Sequence, residues 1–269
     1  LHRGLPQLVP EFLFYGHIFR QGNFDFSAKK VIRPLRFVGT PEQLLRVQHI
    51  LDVSYLGTEP AILDRLNPDS QYRQDLEREG QHFALKDANG AIIPLSEYIE
   101  LVPWENGAAD MGDGLVVTRH DSVNYHVLWG DDEADVRLSY NGAQPPVWQP
   151  RSVMLDKPHP FGMYVLGSYD GFDPEGPSST FLLWIDGRRI LVDCAPYTNV
   201  VLESLGVSPD GIDGIVVTHI HEDHTGGLAY FAAISRRVAI WTRREIWESI
   251  LIKLGAILDI APDEVAERF

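Results

Sequence analysis

The chain has 269 residues and a formal net charge of −15, enough length for one large domain or two ordinary ones with a core that needs no covalent staples. The acidic balance argues against broad nucleic-acid binding, which needs clustered Lys and Arg to displace counterions. The single cysteine, Cys194, excludes an intramolecular disulfide framework and points to a reducing, cytoplasmic setting; no apolar run approaches the ~18 residues of a membrane span, and no signal-peptide pattern opens the chain.

Thr40-Pro41-Glu42-Gln43 predicts a helix start, with a Thr cap, Pro in the first turn and Gln three residues on as in a capping box. Leu44, Val47 and Leu51 continue the helical stripe, and Gly57 lies past its end. Short helices are predicted over 60–66 and 72–79, and strands over 91–95 and 115–119. A hairpin is predicted with arms 125–129 and 135–140 around Gly130-Asp131-Asp132-Glu133, and Asn141-Gly142 is a further turn signal. Pro145, Pro146, Pro150, Pro158 and Pro160 resist both helix and central strand. A domain boundary is placed there, with residues 1–150 as a mixed α+β auxiliary domain and 151–269 as a second unit.

The second unit alternates strands and helices, the signature of an α/β layered architecture. Strands are predicted over 162–167, 180–185, 189–192, 212–218 and 238–241, with Asp186-Gly187 as a hairpin turn. Helices are predicted over 199–205 capped by Thr198, over 226–234, and from a capping box at Thr242-Arg243-Arg244-Glu245 to about residue 258. The last of these carries the stripe Ile246, Ile250, Leu254, Ile257. Arg236-Arg237 and Arg243-Arg244 are read as a solvated rim.

The chemistry converges on Thr218-His219-Ile220-His221-Glu222-Asp223-His224-Thr225-Gly226-Gly227, directly after an apolar strand. Side chains two apart on an extended segment point the same way, so His219 and His221 can ligate one ion together. Asp223 shares their parity but lies where the chain turns. His224 falls at a helix start and is expected to face elsewhere, giving two ligand pairs in place of one tetrahedral cage. Imidazole with carboxylate suits zinc or iron. Two such ions would bring the pKa of a shared water toward ~7 and clamp a substrate oxygen. Glu222 has the opposite parity and is expected to be solvated. Cys194 is read as a small core residue, Thr218 and Thr225 as local hydrogen-bonders, His159 as a surface residue of the Pro-rich connection, and His120 with His126 as a structural pair.

His219-x-His221-x-Asp223-His224 followed by Thr225-Gly226-Gly227 resembles the metal-binding motif of the metallo-β-lactamase fold superfamily. The strand running into Asp193 and the strand over 212–218 sit where that family places its own, and the likeness extends over roughly residues 162–258. The resemblance implies the first half of an αββα sandwich, preceded here by the mixed α+β N-terminal domain. It implies that His219 and His221 hold a first metal, that Asp223 and His224 hold a second, and that Asp223 also orients the nucleophilic water as the catalytic residue. Asp193 would brace the metal loop, and Thr225 would support it beside the ligands. Two zinc ions are the implied cofactor, with iron or manganese as alternatives.

The implied activity is that of a metal-dependent hydrolase using a metal-activated hydroxide on a small-molecule ester, thioester, lactone, β-lactam or phosphodiester. Two readings from other classes stay open: a diiron redox or oxygen-binding protein on the same fold, and a non-enzymatic sensing or scaffold protein whose N-terminal domain is the working part. That domain could act as a lid, a specificity module or the surface of a homo-oligomer. The family's later His and acidic ligands have no counterpart after His224. Together with Leu1 at the start and a helix only beginning over 263–269, this makes the chain an expected fragment. One face of its C-terminal sheet is then expected to expose an apolar patch.

Overall fold

The computed structural model describes residues 10–66, 69–137, 155, 160–171, 173, 175–234 and 236–269. The Asn141-Gly142 turn, Pro145, Pro146, Pro150 and Pro158 of the predicted boundary, His159 and the end of the second hairpin arm, 138–140, lie outside these residues.

The chain enters through α1 (Pro10–Tyr15), which a π-helical turn prolongs to Arg20. β1 (Phe24–Asp25) and β2 (Lys30–Val31) form a short antiparallel pair, followed by β3 (Leu35–Gly39). α2 (Pro41–Leu51) begins on its predicted capping box: the Thr40 hydroxyl accepts the Gln43 amide, and the Gln43 side chain accepts the Thr40 N–H. A π turn carries it to Leu56, and Gly57 ends it at a φ of 78°, where a side chain would be strained. α3 (Pro60–Leu66) and α4 (Ser70–Phe83) follow, the latter capped by the Asp69 carboxylate.

The strand expected over 91–95 does not form. Ile92 makes an isolated bridge to Lys86, and Pro94, with no N–H to give a ladder, opens the helical turn α5 (Leu95–Tyr98). β4 (Ile99–Pro103) then pairs parallel to β3. β5 (Ala108–Asp110), β6 (Leu115–Arg119), β7 (Asn124–Trp129) and β8 (Asp132–Arg137) form an antiparallel meander. Its last hairpin turns through Gly130-Asp131 alone, tighter than the expected Gly130–Glu133 loop. Phe14, Ile18, Phe24, Leu51, Tyr98 and Ile99 make the N-terminal core.

The C-terminal sheet runs β13-β12-β11-β10-β9, with β9 (Phe161–Gly167), β10 (Thr180–Ile185), β11 (Arg188–Val192), β12 (Gly214–Val216) and β13 (Ala239–Trp241). It is antiparallel from β9 to β11 and parallel from β11 to β13. Asp186 and Gly187 both take positive φ in the β10–β11 turn, the geometry that Asp-Gly favours in a two-residue hairpin. The helices are α6 (Thr198–Ser204), α7 (Glu222–Thr225), α8 (Leu228–Ala233), α9 (Arg244–Leu258) and α10 (Pro262–Ala266).

Two expected caps are spent elsewhere. Thr198 is the first residue of α6, and its hydroxyl donates to the Ala195 carbonyl. The Thr242 hydroxyl donates to the Val217 carbonyl instead of capping α9. Among the described residues no helix is long and apolar enough to cross a membrane. The chain is thus of mixed α/β class, with its larger sheet carried by the C-terminal unit.

Strand alternation sorts that sheet into two faces. Leu182, Trp184, Leu191 and Ile215 join residues of α6, α8 and α9 in the main core. On the other face Phe161, Met163 and Val165 of β9 stand 78%, 63% and 47% exposed.

α9 is buried on two sides. Ile250, Leu251 and Leu254 belong to the sheet core, while Glu245, Ser249 and Lys253, spaced four apart, form a buried polar row. The N-terminal helices α2 and α3 pack on α9. Arg46 pairs with Asp259 at 2.7 Å, Arg65 with Glu248, and the Tyr72 hydroxyl donates to Glu245. Arg243 stacks on the Tyr72 ring at 4.4 Å, so it belongs to this contact as well as to the rim.

Replacing Phe161 and Met163 with Lys removes apolar surface from β9 and leaves the core intact. The double variant is expected to bind less of the dye ANS and to melt within about 2 °C of the parent, as for surface changes worth under ~0.5 kcal/mol each. A large fall in melting temperature would mean that the face is covered in solution.

Candidate metal centre

Parallel pairing brings the ends of β11, β12 and β13 side by side, with Val192 opposite Val216 and Val216 opposite Trp241. The carboxyl ends of such strands are where an open α/β sheet gathers its functional loops. The pairing outlives the strands: Asp193 N–H donates to the Val216 carbonyl and Val217 N–H to the Trp241 carbonyl. Asp193 sits at a φ of 60°, a left-handed conformation that Asp tolerates better than most residues. Its Oδ1 accepts the Thr218 N–H at 2.8 Å, and the Thr218 hydroxyl lies 2.9 Å from both carboxylate oxygens.

From Thr218 to His221 the chain has no regular secondary structure, and it then folds back in the single turn α7. That reversal brings His224 to His219, with ring centroids 4.1 Å apart, so it does not face elsewhere as expected. One donor atom from each of His219, Asp223 and His224 lies within 4.8 Å of the others, close enough to hold one metal ion. His221 is outside this triad, but its ring stands 4.9 Å from that of His219. Thr225 donates its hydroxyl to the Ile220 and His221 carbonyls and so closes the turn.

The Gly-Gly pair is a steric requirement. A Cβ on Gly227 would fall 2.6 Å from the Ala195 carbonyl and the Cys194 sulfur, and one on Gly226 would fall 2.8 Å from Pro196 and Glu222. The loop after β11 and the metal loop therefore touch backbone to backbone: Cys194 N–H donates to the His224 carbonyl, and Gly227 N–H to the Cys194 carbonyl. Cys194 is fully buried, and burial pushes its thiol well above the usual range, as befits an inert core residue. A third approach was not legible in the sequence: a Cβ on Gly171, in the β9–β10 loop, would lie 2.5 Å from Cβ of Asp223.

The imidazoles are differentiated by their neighbours. Burial and the nearby His224 and His221 hold His219 below the ordinary histidine range, so its ring stays neutral. Burial opposes the charge on His224, but the Asp193 and Asp223 carboxylates outweigh it and push its pKa up to about 9. Its Nδ1 lies 2.8 Å from Asp193 Oδ2, and its Nε2 3.4 Å from Asp223 Oδ2. Asp193 thereby directs Nε2 into the site, the orientation a metal ligand needs. Burial would raise Asp223, but His224 and the other imidazoles hold it below the usual carboxylate range.

Glu222 corrects the parity argument. It is not solvated but 3% exposed, because α7 turns its side chain beneath the loop. Its Oε2 lies 3.0 Å from Lys253 Nζ as an ion pair without hydrogen-bond geometry. Lys253, 2% exposed, also donates to Glu11 Oε2 at 2.6 Å and to the Ile220 carbonyl at 2.8 Å. Glu11 comes from α1, and its Oε1 accepts the Glu222 N–H at 2.8 Å. Burial would depress the Lys253 ammonium, but the two carboxylates hold it above the ordinary lysine range; burial raises Glu222 despite Lys253. Tyr15, also on α1, places its ring 5.9 Å from that of His221, and burial with the charge of Glu11 pushes its hydroxyl up. A lysine beside the apolar stripe of α9 was the one available sequence signal for this cluster. His126, by contrast, pairs with Asp135 at 2.9 Å on the N-terminal meander.

Two outcomes follow from this geometry. His224 is raised above its ordinary value of 6.5, so its contribution to the metal-free fold is complete below that pH and is lost as pH rises through about 9. Urea unfolding of chelator-treated protein between these values is expected to lose on the order of 1–3 kcal/mol, and Asp193→Asn to flatten the slope. Gly171→Ala is expected to displace Asp223 and weaken zinc about 10-fold in competition with a chromogenic chelator, a typical effect of disturbing a ligand's support.

Residues 173–248 match the family described as the metallo-beta-lactamase superfamily. Over 112 residues, 42% of this chain, the sequence is 34% identical to a cGMP-dependent 3',5'-cGMP phosphodiesterase A of Dictyostelium discoideum, of which the match covers 13%. It is 38% identical over 68 residues to an anti-Pycsar protein Apyc1 of Paenibacillus xerothermodurans, covering 25% of this chain and 27% of that protein. It is 46% identical over 50 residues to a ribonuclease Z of Clostridium botulinum, covering 19% and 16%. The chain spans less than a third of the length of each of these relatives. The family match runs from the β9–β10 loop across the loop over 218–224 into α9, the same elements that build the site, so the likeness to the metallo-beta-lactamase superfamily lies in residues 173–248.

Proposed function

We propose that this chain carries the centre of a metal-dependent phosphodiester hydrolase, with His219, His221, Asp223 and His224 as ligands of two divalent ions, zinc by preference. The observation that carries the reading is the convergence of His219, Asp223 and His224 donors within 4.8 Å, with the His221 ring beside them. Two imidazoles and a carboxylate suit zinc, and no thiolate is at hand for a purely structural site. The phosphodiester class is supported by relatives named as a cyclic-nucleotide phosphodiesterase and a ribonuclease. The net charge of −15 favours a small phosphodiester over a polynucleotide.

A divalent cation held by these residues would supply Lewis acidity to an attacking water and to a substrate oxygen. The chain does the rest. His219, neutral in its buried setting, offers a lone pair without first losing a proton. His224 must release the proton on Nε2, while Asp193 keeps the one on Nδ1. Asp223, held below the usual carboxylate range by the imidazoles, would orient the water and accept its proton.

The double variant His219→Ala with His221→Ala is expected to lose both bound zinc, measured by elemental analysis, and hydrolysis of bis-p-nitrophenyl phosphate and 3',5'-cGMP. Turnover retained by that variant overturns the reading.

A further inference from the structure

We infer that Glu11 of α1 is a positioning residue for the metal loop, which it pins from below together with Lys253. The inference rests on the metal reading of residues 219–224 and adds a residue from the far end of the chain to it.

The two buried charges seize the backbone on either side of His221. Lys253 Nζ donates to the carbonyl of Ile220, the residue before it. Glu11 Oε1 accepts the N–H of Glu222, the residue after it. That N–H opens α7 and has no partner within the helix, and the N-cap residue His221 does not cap the turn with its side chain. Glu11 therefore does the work of a helix cap from 211 residues away. Its other oxygen is held by Lys253 at 2.6 Å, so the two pins are also tied to each other.

A purely architectural role accounts for this poorly. Buried ion pairs add little net stability over apolar residues of similar size, yet here both partners are nearly inaccessible, at 3% and 2% exposure. Each also spends a hydrogen bond on the backbone between two ligands. The polar row of α9 and the acid of α1 are thus arranged around the loop's conformation.

The test compares Glu11→Met with Phe14→Leu, a change in the core on the same helix, in the full chain. Glu11→Met leaves Lys253 paired with Glu222 and bonded to the Ile220 carbonyl, so the cluster keeps a balanced ion pair and the chain is expected to stay folded. What it removes is the partner of the Glu222 N–H. Glu11→Met is therefore expected to bind Co(II) about 10- to 100-fold more weakly than the parent, the range for outer supports of metal ligands, with an altered visible spectrum, whereas Phe14→Leu lowers the melting temperature and keeps the parental affinity and spectrum. In metal-free Glu11→Met the Glu222 amide is expected to exchange hydrogen at least about 10-fold faster than in the parent. Parental Co(II) affinity and spectrum in Glu11→Met with a Glu222 amide as protected as before, or an equal loss in Phe14→Leu, overturns the inference. If the parent itself binds no Co(II), the metal reading falls, and the Glu222 exchange rate alone decides whether Glu11 and Lys253 pin the loop.

Discussion

The Asp193 carboxylate is the interaction on which the site depends. It stands where two parallel strands end in register, and it gathers the Thr218 N–H, the Thr218 hydroxyl and the His224 ring onto two oxygen atoms. Charge-assisted bonds of this kind are shorter and stronger than neutral ones. They fix both ends of the seven-residue segment from Thr218 to His224 from one point. The left-handed backbone at Asp193 is what aims the carboxylate across to the neighbouring strand.

Around that point the molecule is built in two tiers. In the upper tier, imidazoles and the Asp223 carboxylate face one another, with His219 held below and His224 above the ordinary histidine range. In the lower tier, Glu11, Lys253 and Glu222 exclude water almost completely. The loop is the membrane between them, its side chains up and Glu222 down. The N-terminal region reaches both tiers through one short helix, Glu11 below and Tyr15 against His221.

What was legible in the sequence was what local chemistry decides. The Thr40 capping box, the Asp186-Gly187 turn, the strands of the larger sheet and the His-rich motif each depend on residues within a few positions of one another. The failures share a cause. Parity places side chains only while the chain stays extended, and α7 ends that condition at Glu222, which reverses both Glu222 and His224. Thr198 suits a cap, but its hydroxyl turns back to the Ala195 carbonyl three residues earlier, and Thr242 bonds the Val217 carbonyl that tertiary structure delivers. The strand over 91–95 yielded to Pro94. Glu11 carried no signal, because its partners are more than 200 residues distant along the chain.

The double burial of α9 has an evolutionary consequence. A helix with one free side can drift there, but Lys253 is answerable to two parts of the molecule at once. Loss of Glu11 strips the Glu222 N–H of its partner, and loss of Lys253 leaves two buried acids facing each other. Change at these positions is costly one step at a time, which couples the divergence of the N-terminal region to that of the loop over 218–224.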